Sequence, residues 1–104
     1  MRADHALSSV RSLVPVAIHI CPTHMTKDDY EKVIADLEKE GVHEPEGRLY
    51  HAAYGDDDDV RMFEVWRSQE DFDAHKDDLF ATLQGAGVNV ERVDVHPLHS
   101  DHPD

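Results

Sequence analysis

Cysteine is almost absent: Cys21 stands alone in 104 residues. No intrachain disulfide framework can exist, and a reducing compartment fits the chain. Basic charge is scarce, with 10 lysines and arginines against 23 aspartates and glutamates, a formal charge of −13. Nucleic acid and anionic membrane both require a basic surface, so neither is expected as a partner. The acidic balance favours solubility and leaves a small-molecule ligand or substrate open, because a pocket can differ from the surface around it. No apolar run is long enough to span a bilayer. The first dozen residues place Arg2, Asp4, His5 and Arg11 among scattered apolar residues, without the continuous hydrophobic stretch of a secretory signal. A soluble cytoplasmic protein is the expectation. There is also no Gly-rich phosphate loop, no Ser-His-Asp signature and no CxxC pair.

What is present is a readable order of elements in a chain of one-domain length. Residues 1–12 read as a flexible N-terminal extension, 13–98 as the folded domain and 99–104 as a polar tail. A first strand is expected over Val14–Cys21, with Val16, Ile18 and Ile20 on one side and Ala17, His19 and Cys21 on the other, closed by Pro22. Thr26 is a good N-cap for a helix with Asp28 and Asp29 in its first turn, a buried stripe of Tyr30, Val33, Ile34 and Leu37, and Gly41 just past its end. A second strand follows over Arg48–Tyr54, a hairpin loop over Gly55–Asp59, and a third strand over Val60–Arg67. Ser68 with Asp71 three residues later resembles a capping box. The helix it starts has an expected inner stripe of Phe72, Lys76, Leu79, Phe80 and Leu83 and ends near Gly85 and Gly87. A fourth strand is expected over Val88–His96.

Strand, helix, strand, strand, helix, strand is the ferredoxin-like βαββαβ order of an α+β fold: a four-stranded antiparallel sheet with both helices on one face. The core of so short a chain is small. The uncovered sheet face also carries apolar residues, which predicts a face-to-face homodimer.

His51 and Glu64 are the sharpest candidate pair. If Gly55 and Val60 close the hairpin, counting back along antiparallel strands sets His51 opposite Glu64 on one face. A carboxylate beside an imidazole fixes its tautomer and raises its basicity, and such a dyad could take a proton from a phenol, an enol or a carbon beside a carbonyl. The same pair could instead be an ordinary cross-strand ion pair, or one shared across the dimer face, and a one-residue slip would send the two side chains to opposite faces. Trp66 shares Glu64's strand side and either walls a substrate pocket or anchors the core. His19 is either a pocket acid, base or donor or a hydrogen-bonded core histidine. His75 borders the inner helix stripe and either faces the pocket or lies on a solvated edge. Tyr50 and Tyr54 either offer phenol donors to the pocket or pack against a neighbouring sheet. His19, Cys21 and His24 match no standard zinc spacing, so no metal is expected. His96, His99 and His102 make a loose histidine-rich tail, weak evidence for adventitious metal binding only.

The run Phe63-Glu64-Val65-Trp66-Arg67-Ser68-Gln69-Glu70-Asp71-Phe72, together with the element order, resembles the dimeric α+β barrel superfamily, in particular its antibiotic-biosynthesis-monooxygenase-like branch, over about residues 14–98. Gly47-Arg48-Leu49-Tyr50-His51 and Val95-His96-Pro97-Leu98-His99 look like a small subgroup of actinobacterial type, whose members mostly lack an assigned activity. The resemblance implies a pocket between sheet and helices. It also implies one of several activities: cofactor-independent oxygenation of polyketide quinols, haem degradation, lactone isomerisation or ligand binding. In the haem-degrading branch a first-strand polar residue would fall near His19 and the histidine ligand near Gln84, a poor haem ligand. The resulting expectation is a small enzyme without cofactor, a monooxygenase or an isomerase or cyclase, in which His51 or His19 abstracts a proton with help from Glu64. A non-catalytic binding or accessory protein is the alternative, and a haem-binding protein the third reading.

Overall fold

A computed structural model describes residues 14–99. The expected extension over residues 1–12 and His102 of the tail lie outside the described residues. The elements are β1 (Val16–Thr23), α1 (Lys27–Lys39), β2 (Arg48–Asp56), β3 (Asp59–Trp66), α2 (Gln69–Gly85) and β4 (Asn89–Pro97). They form one four-stranded sheet in the order β2-β3-β1-β4, and every neighbouring pair is antiparallel. This is the expected ferredoxin-like arrangement.

Alternation along the strands decides which residues meet the helices. Val16, Ile18 and Ile20 of β1, and Val60, Met62 and Trp66 of β3, are buried in one core with Val33 and Leu37 of α1 and Phe72, Leu79 and Leu83 of α2. Both helices therefore lie on one sheet face. Thr26 begins α1 with a complete capping box: its hydroxyl accepts the Asp29 amide and the Asp29 carboxylate accepts the Thr26 amide. Ser68 accepts the Asp71 amide at 3.2 Å in the same way. The Asp71 carboxylate, however, turns to Arg67 Nε at 2.7 Å and to the Ser68 hydroxyl.

Several boundaries differ from the expected ones, each for a local reason. Pro22 lies inside β1, because the β1–β4 register shifts between Cys21 and Pro22 and pairing resumes at Pro22–Val90; a proline is tolerated at such a bulge. The hairpin is tighter than a five-residue loop. Asp56 pairs with Asp59, leaving Asp57 and Asp58 as the turn. The turn is held from outside, since the Lys27 amide donates to the Asp57 carbonyl and the Val60 amide to the Met25 carbonyl. On α2 the inner stripe contains His75 and Thr82 as well as Phe72, Leu79 and Leu83, and Lys76 is only half-buried. No helix among the described residues is long and apolar enough to cross a membrane.

Candidate functional site

The hairpin fixes the site. Gly55 pairs with Val60, and counting back the ladder sets His51 opposite Glu64. Both point to the helix-covered face, as the burial of Met62, Glu64 and Trp66 on β3 requires. Glu64 is 1 % exposed. A carboxylate so deeply buried must be paired to stay charged, and three donors serve it. His51 Nδ1 donates to Oε2 at 2.7 Å, Trp66 Nε1 donates to Oε1 at 2.7 Å, and Arg48 Nη1 lies 3.4 Å from Oε2. Burial pushes the Glu64 carboxyl up. The hydrogen bonds from His51 and Trp66 and the charges of His51 and Arg48 outweigh it and hold Glu64 below the ordinary glutamate value.

With Nδ1–H committed to Glu64, neutral His51 carries its lone pair on Nε2. The Tyr30 hydroxyl, 2.7 Å away, donates there. Tyr30 comes from the first turns of α1 and lies nearly parallel to the imidazole, with ring centroids 6.0 Å apart. Burial raises its pKa, the Arg48 charge works the other way, and the Glu64 charge adds to the rise. Tyr30 is therefore a protonated phenol at neutral pH. Tyr30, His51, Glu64 and Trp66 make one hydrogen-bonded line running from helix to sheet.

Neither Tyr30's hydroxyl contact nor Arg48's place was foreseen. Tyr30 counts in the sequence as part of an apolar stripe. Plain alternation back from His51 puts Leu49 on the inner face and Arg48 outside. A bulge between Arg48 and Tyr50 pairs Arg48 with Trp66 instead, and Leu49 is 60 % exposed. Arg48 Nη2 also donates to the His43 carbonyl at 2.7 Å, which fixes the guanidinium beside Glu64.

Trp66 is fully buried and packs edge-on against Phe72, with ring centroids 5.6 Å apart. It is thus both core anchor and floor of the site. His75 is buried at 6 % exposure, 5.5 Å from the Trp66 ring. Desolvation holds its pKa below the ordinary histidine value, and its Nε2 is buried without a hydrogen-bond partner.

The other candidates do not join this group. Ile18 is the residue of β1 that pairs with Glu64, so His19, one residue on, faces away from the helices. There it hydrogen-bonds the Tyr54 hydroxyl. Tyr50 pairs with Val65 and Tyr54 with Arg61 on that same outer face, where they are 55 % and 43 % exposed. His19, Tyr50 and Tyr54 are thus corrected from pocket residues to residues of the open sheet face. Gln84 is exposed and lines a groove with Phe80 and Val93. Three surface grooves lined by described residues take in neither His51 nor Glu64. Among the described residues no three histidine, cysteine or acidic side chains come together to hold a metal ion.

No curated protein matches the chain in sequence. Solved structures match in fold. SnoaB, a cofactor-independent oxygenase from Streptomyces nogalater, superposes with a TM-score of 0.61 at 15% identity, over 86% of this chain and 98% of that one. A monooxygenase from the gene ActVA-Orf6 of Streptomyces coelicolor, in complex with the ligand nanaomycin D, gives 0.55 at 14% identity, over 89% and 94%. A conserved protein from Methanosarcina mazei Go1 gives 0.54 at 12%, over 86% and 97%. At such identities the likeness is one of fold. The sequence itself carries the family further: residues 14–78 match the model of the antibiotic biosynthesis monooxygenases, a span that holds every residue of the Tyr30–His51–Glu64–Trp66 line, and the chain belongs to that family.

Proposed function

We propose that the protein is a small-molecule enzyme of the cofactor-independent monooxygenase type, which opens its reaction by removing a proton from an aromatic or enolic substrate. The observation that carries this reading is the line from Tyr30 through His51 to Glu64, with both contacts of the imidazole at 2.7 Å. A substrate hydroxyl or acidic C–H presented to the Tyr30 oxygen gives up its proton there, while Tyr30 passes its own proton to His51 Nε2. The resulting imidazolium is balanced by Glu64, whose charge is already held in place by Trp66 and Arg48. The proton thus travels one step inward, Tyr30 ends neutral, and the substrate is left as an electron-rich phenolate or enolate. That anion reduces dioxygen directly: a ring CH₂ becomes C=O, one oxygen atom enters the product and the other leaves as water. Family membership and the fold shared with SnoaB support oxygenation over isomerisation. The active unit in this reading is a homodimer, joined through the outer sheet face and working in the cytoplasm on a small-molecule substrate.

Anthrone, an enolisable aromatic ketone, is a direct probe. Oxygen uptake above the protein-free rate, with anthraquinone and water as products and no added cofactor, is expected. His51→Ala should lower that rate at least about a hundredfold, the scale of a lost general base, with the fold retained. Tyr30→Phe should lower it too. A rate no greater than the protein-free rate with both anthrone and 1,4-dihydroxynaphthalene overturns the proposal in favour of binding without turnover.

A further inference from the structure

A groove of about 440 Å³ runs between the end of α2 and the start of β4, and its lining takes in none of the Tyr30–His51–Glu64 line. Its floor is apolar: Phe80, Val90 and Val93 pack against the core and stay partly exposed. Its rim carries Glu91, which a bulge sets there. Cys21 pairs with Arg92 and Pro22 with Val90, so Glu91 has no partner across the ladder, and a bulge re-aims the side chain it frees. Glu91 is exposed and in no ion pair among the described residues. The neighbouring cations are engaged elsewhere. Arg92, which also lines the groove, pairs with Asp94 at 2.9 Å, and Lys76, one turn before Phe80, pairs with Asp73 at 3.7 Å. Gln84 brings the carbonyl end of α2 to the same groove, and the last turn of that helix holds no basic residue. The negative end of the helix dipole is therefore not balanced by its own helix. A phenyl ring on an apolar floor, a carboxylate without a partner and a helix C-terminus all favour one kind of guest.

We infer that this groove binds a small organic cation with an apolar body, a substituted ammonium whose alkyl groups lie against Phe80 and whose charge lies beside Glu91. Phe80 offers the π face that attracts such a cation. The volume falls in the range of small-molecule sites. The net charge of −13 draws cations to the chain in general, and an alkylated ammonium suits this groove better than a metal ion because its charge is spread over an apolar surface. The site is separate from the proton path and stands or falls without it.

Choline and 3,3-dimethyl-1-butanol, which replaces the ammonium nitrogen by carbon at the same shape, are the probes. The full chain is titrated with each and followed through its backbone amide resonances. Both should move the amides of Val88–Val93, and choline should bind about fivefold more tightly, the scale of an exposed cation–π contact aided by a carboxylate. Glu91→Gln should remove most of that preference. Phe80→Leu keeps an apolar floor without the ring, and should weaken choline while leaving the alcohol within about twofold. Asp57→Asn removes an equal charge at the hairpin turn and should leave the preference as it is. Equal affinity for the two probes, no binding of choline, or a preference that survives Glu91→Gln overturns the inference. Choline shifts centred on Asp56–Asp59 or on Tyr30 and His51 overturn it as well, the first as diffuse attraction to an acidic hairpin and the second as binding at the proton path.

Discussion

Glu64 and His75 sit within one small volume, and burial acts on them with different outcomes. For Glu64 it works against the charge, yet the His51 and Trp66 hydrogen bonds and the Arg48 charge win, and the folded pKa falls below 4.5. For His75 burial wins over the pull of Glu64 and Asp78, with Arg48 on burial's side, and the folded pKa falls below 6.5. Both groups thus hold fewer protons folded than unfolded just below their ordinary pKa, so each makes stability rise with pH. Acidification should then weaken the fold in two stages. The first begins as pH drops through about 6.5, where unfolded His75 gains a proton that the folded form resists. The second begins below about 4.5, where Glu64 loses its charge-dependent contacts. Asp71, held low by its Arg67 hydrogen bond against a small desolvation effect, adds to the second stage. Urea unfolding between pH 8 and pH 3 should show the first limb vanish in His75→Phe and the second shrink in Glu64→Gln. A first limb unchanged by His75→Phe would show that His75 does not resist protonation.

At the scale of elements, the site depends on one hairpin and one bulge, and these explain what was legible in the sequence. His51–Glu64 could be read because a closing pair sets the register and side chains alternate with period two, so a single correct turn fixes every residue above it. Arg48 could not be read, because a bulge adds a residue without changing composition and reverses the facing of what lies beyond it. His75 was ambiguous because its helix stripe mixes His and Thr with Phe and Leu, which blurs the phase between positions 75 and 76. His19, Tyr50 and Tyr54 were ambiguous because both sheet faces carry apolar residues, so pattern alone does not say which face the helices cover. The register itself rests on Gly55, which holds φ at +113° where a Cβ would stand 2.3 Å from the Asp59 carbonyl oxygen. Gly55→Ala must therefore strain the backbone or shift the turn, at a cost of about 1–3 kcal/mol. Because the closing pair sets His51 against Glu64, the same change should also disturb the His51 imidazole resonances. Urea unfolding and nitrogen-15 spectra of the histidines check both parts; a loss under about 0.5 kcal/mol with His51 unchanged would show that the turn does not set the site.

At the scale of the whole molecule, the helices cover one sheet face and, among the described residues, nothing covers the other. On the open face Ala17, Ala52, Phe63 and Val65 are half-buried beside Tyr50 and Tyr54, with Phe63 and Tyr50 in edge contact at 6.3 Å. His19 hydrogen-bonds Tyr54 across this face and pairs with Asp94 of β4, so polar groups are interleaved with the apolar ones. A second copy offers the same face in complement, which is how a two-fold interface covers apolar surface. Each copy carries a net charge of −13, so association must overcome repulsion that salt screens. Sedimentation equilibrium at micromolar concentration should therefore give twice the 11.8 kDa chain mass, and dissociation should be easier at low ionic strength than at high. Phe63→Glu places a new negative charge on β3, an inner strand of this face, and should yield monomer at any moderate salt. Because Phe63 points away from the helices, the Tyr30–His51–Glu64 line should survive in that monomer, and its histidine resonances should stay near the wild-type positions. A wild-type chain that sediments as a monomer at high salt, or a Phe63→Glu variant that still sediments as a dimer, removes the outer face from the interface.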